Sequence, residues 1–192
     1  MTWLLCDYGE VLSLAQPDDD RARVEAAAGR GGAPFWADYW AHRPDYDRGD
    51  LSVGDYWARV AGRVPDTDGL GRLVVADVAS WLHPDERALA GAARAARRGL
   101  RLAILSNAPV EVASAIDRSP WLSPFAPRLF SCHLHAVKPE PDAYHATLAA
   151  LGAPPEDVIF LDDRPANVAA ARQVGMRAEL YRTPEQFDAV TV

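Results

Sequence analysis

The sequence predicts an α/β protein: a doubly wound parallel sheet of Rossmann-like type with an inserted α-helical bundle. Three observations predict it. Short apolar runs end abruptly in polar residues at Asp7, at Ser106-Asn107 and at Asp162-Asp163. Well-punctuated helical patterns separate the later runs, and a long strand-free stretch rich in tryptophan lies between the first run and the second.

Thr2 to Cys6 is a short β-prone run and reads as the first strand. From about Leu14 to His83 the pattern changes to helix-like stretches at Asp19 to Ala28, Phe35 to His42, Val53 to Val60 and Leu70 to Trp81. Ser52 suits the N-cap of the third. Four of the 6 tryptophans (Trp36, Trp40, Trp57, Trp81) fall here. At helical spacing, Trp36 and Trp40 are expected to pack the bundle interior rather than stack on a ligand. The strand pattern starts before this stretch and resumes after it, so the bundle is read as an insertion. The division is a core of residues 1–13 and 84–192 and a cap of residues 14–83.

Pro84-Asp85-Glu86 opens a helix that runs to Gly99, with Arg97 and Arg98 in its last turn. Arg101 to Leu105 follows as a strand, and Arg128 to Cys132 as a weaker one. Pro141-Asp142 opens a helix reaching Leu151-Gly152. Asp157 to Leu161 is the next strand, about Pro165 to Gly175 a helix, and Arg177 to Tyr181 a second weaker strand. Strands alternating with helices of this length imply right-handed βαβ units.

A chain of 192 residues buries roughly 70% of its unfolded surface, enough for one core and a small insertion without staples. Cys6 and Cys132 lie in apolar segments and read as buried small hydrophobes in a reducing compartment. A net charge of -7 excludes a broad footprint for nucleic acid or an anionic membrane, so a bound anion needs a local site. The apolar start stops at Asp7, too short for a signal peptide, and no run approaches the ~18 residues of a spanning helix. A cytoplasmic monomer or homodimer is expected.

In open parallel sheets, ligands bind beyond the carboxyl ends of the strands, where the winding reverses. Three predicted strands deliver Asp7, Ser106 with Asn107, and Asp162 with Asp163 to those ends. Clustered carboxylates at apolar strand ends call for a hard divalent cation with oxygen ligands, most simply Mg²⁺. Lys138 is the single lysine among 20 basic residues, a candidate for a position where a planar guanidinium does not fit, with an ordinary surface lysine as the alternative. A carboxylate nucleophile, a metal, a hydroxyl and one ammonium are the parts of phosphoryl transfer.

These residues fall in segments that resemble the haloacid dehalogenase superfamily of aspartate-nucleophile hydrolases. Leu4-Leu5-Cys6-Asp7-Tyr8-Gly9-Glu10-Val11-Leu12 is similar to its first motif and Ile104-Leu105-Ser106-Asn107 to its second. Lys138-Pro139-Glu140-Pro141 is similar to the third, and Phe160-Leu161-Asp162-Asp163-Arg164-Pro165-Ala166-Asn167-Val168 to the fourth. Tyr46-Asp47-Arg48-Gly49-Asp50-Leu51-Ser52 resembles the cap of the subgroup containing the epoxide hydrolase N-terminal phosphatase domain. The resemblance implies that Asp7 attacks phosphorus of a small phosphorylated metabolite. Asp7, the Gly9 carbonyl and Asp163 would bind Mg²⁺, with Asp162 beside or behind it. Ser106 and the Asn107 amide would hold phosphoryl oxygens, Lys138 would neutralise charge, and Asn167 would brace the fourth-motif loop or a metal-bound water. The insertion would close over the site as a cap.

One position departs from that pattern. Phosphatases of the family usually carry a second Asp two residues after the nucleophile, as general acid and base, and here Gly9 stands there. Loss of a general acid costs about 10²- to 10⁴-fold, which favours good leaving groups such as acyl or anomeric phosphates. Glu10 is expected to point away from the pocket. A pseudo-enzyme that binds a phosphorylated ligand or a protein without turnover is the alternative from another class. A 2-haloacid dehalogenase is disfavoured because an aromatic residue is expected at Gly9, and a receiver domain because it lacks a cap. His133 and His135, flanking Leu134 in alternation, are expected as polar residues at the site's edge rather than metal ligands. Arg43, Arg48 and Arg164 read as surface charges.

Overall fold

The computed structural model describes residues 2–190. The first strand, β1 (Trp3–Cys6), is buried at all four positions, as a central strand covered on both faces must be. Four helices follow it: α1 (Asp18–Ala28), α2 (Ala33–Arg48), α3 (Val53–Ala61) and α4 (Thr67–Ser80). The chain then alternates through α5 (Glu86–Arg97), β2 (Arg101–Ser106), α6 (Val110–Asp117), β3 (Arg128–Phe130) and α7 (Ser131–Leu134). It ends with α8 (Pro141–Leu151), β4 (Val158–Asp162), α9 (Pro165–Gln173), β5 (Arg177–Leu180) and α10 (Gln186–Ala189).

The sheet is parallel throughout, in the order β3-β2-β1-β4-β5. Alternation along β1 sends Leu4 and Cys6 to one face, with Ala88, Ala92 and Ala95 of α5 and Val112 and Ile116 of α6. Trp3 and Leu5 go to the other, with Tyr144 and Leu151 of α8 and Val168 and Ala171 of α9. Two buried faces make the sheet doubly wound. The chain adds β2 and β3 on one side of β1 and then crosses to β4 on the other. The winding therefore reverses at β1, and a crevice opens beyond its carboxyl end.

The helices α1 to α4 pack around their own centre of Val24, Phe35, Trp36, Tyr39, Tyr56, Trp57, Val60 and Leu73. Ser52 caps α3 by accepting from the Asp55 amide, and Asp66 caps α4 by accepting from that of Gly69. The sequence stops α2 at His42, before a proline, whereas the helix runs through Pro44 to Arg48. An interior proline costs about 3 kcal/mol. The last turn offsets this by burying Arg43, Tyr46 and Asp47, with Tyr46 stacked on Tyr56 at 4.2 Å. Two adjacent crossings join this bundle to the sheet: Ser13 bridges Pro84 in antiparallel fashion, the Leu14 amide donates to His83, and the Asp85 amide donates to Leu12.

The strand expected over Arg128 to Cys132 ends at Phe130, and the chain turns helical at Ser131. The Ser131 hydroxyl causes this by bonding across to Asp47 and accepting from the Ala108 amide. Cys6 and Cys132 are buried free thiols. Among the described residues no helix is long and apolar enough to cross a membrane.

Gly91 lets α10 dock on α5, because a Cβ placed there would lie 2.8 Å from the Cβ of Phe187. On an open helix Gly→Ala stabilises by about 1 kcal/mol. Here Gly91→Ala is expected to reverse that sign and destabilise by about 1–3 kcal/mol through overpacking. Thermal denaturation checks it, and a variant that melts at or above the parent contradicts the close approach.

Candidate active site

Asp7 follows β1 directly, its amide held by the Leu161 carbonyl of β4 at 2.9 Å. Its carboxylate accepts from the Tyr8 amide at 2.7 Å and from Lys138 Nζ at 2.7 Å. Lys138 also donates to Asp162 at 2.8 Å, so one buried ammonium bridges the ends of β1 and β4. Its side chain is 1% exposed. Burial alone would depress that ammonium, but Asp162 and Asp7 hold its pKa above the ordinary lysine value.

Asp162 is fully buried and already fully used by the protein. It accepts from Lys138 Nζ, from Asn167 Nδ2 through both oxygens at 2.9 and 3.0 Å, and from the Arg164 amide at 2.8 Å. Its carboxylate therefore holds the lysine from behind. Asn107 secures the lysine's main chain: its side chain donates to the Lys138 carbonyl and accepts from the Lys138 amide, each at 2.9 Å. Ser106 ends β2 and lines the same cavity.

Asp7, Asp162 and Asp163 offer oxygens within 4.8 Å of one another. Crowding them in a buried place has an electrostatic cost. Burial pushes the Asp7 carboxyl up to about 7, with Lys138 opposing and Asp162 adding to the rise. Asp163 is raised by burial and by Asp162 and Glu10. Such a cluster fits a hard divalent cation, which returns carboxyls of this kind to their charged form. We expect Mg²⁺ at a hundredfold excess over its Kd to stabilise the protein by about 2.7 kcal/mol. Differential scanning fluorimetry reads this as a rise in Tm removed by EDTA and largely absent in Asp163→Asn.

Above these groups lies a half-open cavity of ≈ 590 Å³, walled on one side by the helical insertion. Arg43, Arg48 and Arg164 line it; Arg43 is buried and Arg48 half-buried, which corrects their reading as surface charges, while Arg164 is exposed as expected. Arg43 is buried, bonded to Asp47 at 2.7 Å, to Asp77 at 3.4 Å and to the Tyr39 hydroxyl. Arg48 binds Glu140 bidentately at 2.5 and 2.7 Å, holding that carboxyl below its usual range. Trp36 is in the bundle interior, but Trp40 is 41% exposed and lines the cavity. Glu10, expected to face away, also lines it, its backbone turned left-handed at φ 57. His133 and His135 are exposed and off the cavity wall, since the helical turn at Ser131 removes the alternation that would have aligned them.

Sequence reasoning missed Tyr46, Asp47 and Arg48 as a row of fastenings between insertion and core. The Tyr46 hydroxyl donates to Glu111 at 2.7 Å, the Asp47 carbonyl accepts from Ser131 at 2.6 Å, and Arg48 grips Glu140. The signal lay in three consecutive residues able to bond, at the end of a helix.

A buried aspartate at the first strand's end, paired with a lysine and flanked by further carboxylates at the point of sheet reversal, defines a hydrolase-type site in an α/β fold. The chain belongs to the haloacid dehalogenase-like hydrolases, whose family model matches residues 8–175. It is 35% identical over 89 residues to enolase-phosphatase E1 of Streptomyces avermitilis, covering 45% of this chain and 37% of that protein. It is 44% identical over 52 residues to bifunctional epoxide hydrolase 2 of Rattus norvegicus, covering 27% of this chain and 9% of that protein. The chain thus spans well under half the length of these curated relatives. Among solved structures, a mutant HAD family enzyme of Bacteroides thetaiotaomicron, in complex with magnesium and inorganic phosphate, superposes with TM-score 0.74. The two are 17% identical over 95% of this chain and 94% of that one. An L-2-haloacid dehalogenase superposes with TM-score 0.68 at 22% identity, covering 97% and 87%. Both likenesses are of fold.

Proposed function

We propose that the protein is a Mg²⁺-dependent phosphatase for a small phosphorylated metabolite, working through an aspartyl-phosphate on Asp7. The observation that carries this reading is the Lys138 ammonium placed between Asp7 and Asp162 at the base of a half-open cavity. In this reading residues 14–83 form a cap over a core of residues 1–13 and 84–192.

Asp7 presents a carboxylate oxygen to phosphorus; as the new P–O bond forms, the ester P–O bond breaks and its electron pair leaves with the alcohol oxygen. Lys138 stabilises charge on the nucleophile and on the transferring group, while the Ser106 hydroxyl and the Asn107 amide take phosphoryl oxygens. Asp7, Asp163 and the Gly9 carbonyl would hold Mg²⁺, with Asp162 behind them keeping Lys138 in place. The ion supplies charge neutralisation at the phosphoryl oxygens. Asn167 braces Asp162. Water entering the half-open cavity then attacks phosphorus: as its P–O bond forms, the bond from phosphorus to Asp7 breaks with the electron pair returning to the carboxylate, and the water's proton passes to the solvent as inorganic phosphate leaves.

The test is phosphate release with Mg²⁺ from acetyl phosphate and a panel of esters, against Asp7→Asn. No release above that control from any substrate overturns the reading, and chloride release from 2-chloropropionate would replace it with dehalogenation.

Gly9 leaves the leaving group without the family's usual acid. A Cβ at Gly9 meets only Trp81 Cζ3, at 3.5 Å, which is ordinary contact. We therefore expect Gly9→Asp to raise kcat/KM on alkyl phosphates about tenfold or more, since a positioned acid contributes at least 10²-fold. An unchanged ratio of alkyl to acyl phosphate turnover would show that the cleft does not use an acid from this position.

A further inference from the structure

We propose that the substrate of this site, taken as a phosphatase, carries an aromatic leaving group bonded directly through its oxygen: an aryl phosphate. The observation is the corner formed by Trp40 and Trp81, both on the cavity wall. Their ring centroids are 6.2 Å apart and their planes 88° apart. A flat ring laid on one indole meets the other edge to face, so both preferred aromatic geometries are met at once.

The corner stands beside the nucleophile. Trp81 is the neighbour of the Gly9 Cα–H, and the hydroxyl of Tyr8, next to Asp7, donates to the Trp81 carbonyl at 2.7 Å. Cations flank both indoles, with Arg43 at 5.5 Å from Trp81 and Arg164 at 5.9 Å from Trp40. Pro44, Val112 and Ile116 continue an apolar wall, and ≈ 590 Å³ accommodates a ring system. Trp40 is the sole tryptophan among the exposed large hydrophobics of the described residues, and its indole lines this cavity and a second, more open one beside Trp36.

The chemistry agrees with the missing acid. When Asp7 displaces an aryl phosphate, the P–O bond breaks with its electron pair on the aryl oxygen. A phenolate, whose conjugate acid has a pKa of about 10, departs as the anion and takes its proton from water. An alkoxide, close to water at about 15.7, cannot leave so readily.

The probes are benzylphosphonate and cyclohexylmethylphosphonate, which share a head group and cannot be hydrolysed. Calorimetric titration of the whole protein with saturating Mg²⁺ is expected to give about tenfold tighter binding of the benzyl compound. That preference should fall to twofold or less in Trp40→Leu, whose exposed position spares the core, and in Trp81→Leu. Equal affinities, no binding of either compound, or a preference intact in both variants overturns the proposal. Phosphate release from acetyl phosphate reads the phosphatase assignment separately, so the two can fail independently.

Discussion

Asp7→Asn is expected to lower phosphate release by at least about 10⁴-fold while the protein stays folded, because the carboxylate oxygen that would bond to phosphorus is gone. The fold should survive. Lys138 keeps its bond to Asp162 at 2.8 Å, and an uncharged side chain removes a carboxylate that burial pushes up to about 7. Phosphate release under single-turnover conditions, together with near-ultraviolet circular dichroism, checks both halves. Residual activity within a hundredfold of the parent would mean that the nucleophile lies elsewhere.

Lys138→Met is expected to act on stability as well as turnover. Removing the ammonium leaves Asp7 and Asp162 buried beside each other without their shared cation. Breaking a buried ion pair from one side costs about 3–5 kcal/mol. For a domain of this size that corresponds to roughly 10 °C in Tm. Lys138→Arg should not rescue it, since the planar fork does not fit between oxygens held 2.7 and 2.8 Å from one nitrogen. Adding Asp162→Asn to Lys138→Met should recover part of the lost stability and none of the activity. A Tm within 2 °C of the parent for Lys138→Met would refute the bridging role.

Much of this arrangement was legible in the sequence. Apolar runs that stop dead at Asp7, Ser106 and Asp162 mark strand ends, and strand ends in a parallel sheet are where sites form. The lone lysine among arginines pointed to a position with room for one nitrogen. What escaped were features that depend on long-range partners. Nothing local distinguishes Arg43 from a surface arginine; Asp47, Asp77 and Tyr39 define it only once α2 and α4 are packed. Pro44 reads locally as a helix stop, and the gain from burying the turn beyond it is invisible until the bundle forms. Ser131 likewise ends β3 early through bonds to Asp47 and Ala108, both distant in the chain. Trp40 has the spacing of a core residue, and only the shape of the crevice places its indole on the wall.

The paired crossings at Ser13 and Pro84 have a consequence for modularity. Because the polypeptide leaves the sheet and returns to it at neighbouring points, a turn of a few residues can span the gap. Deleting everything in between and splicing the ends should yield a miniature whose catalytic floor lies bare to bulk water. If residues 14–83 are the cap proposed above, lids of other lengths and shapes should be graftable onto the same two stubs, exchanging the part over the site while the sheet beneath it stays the same.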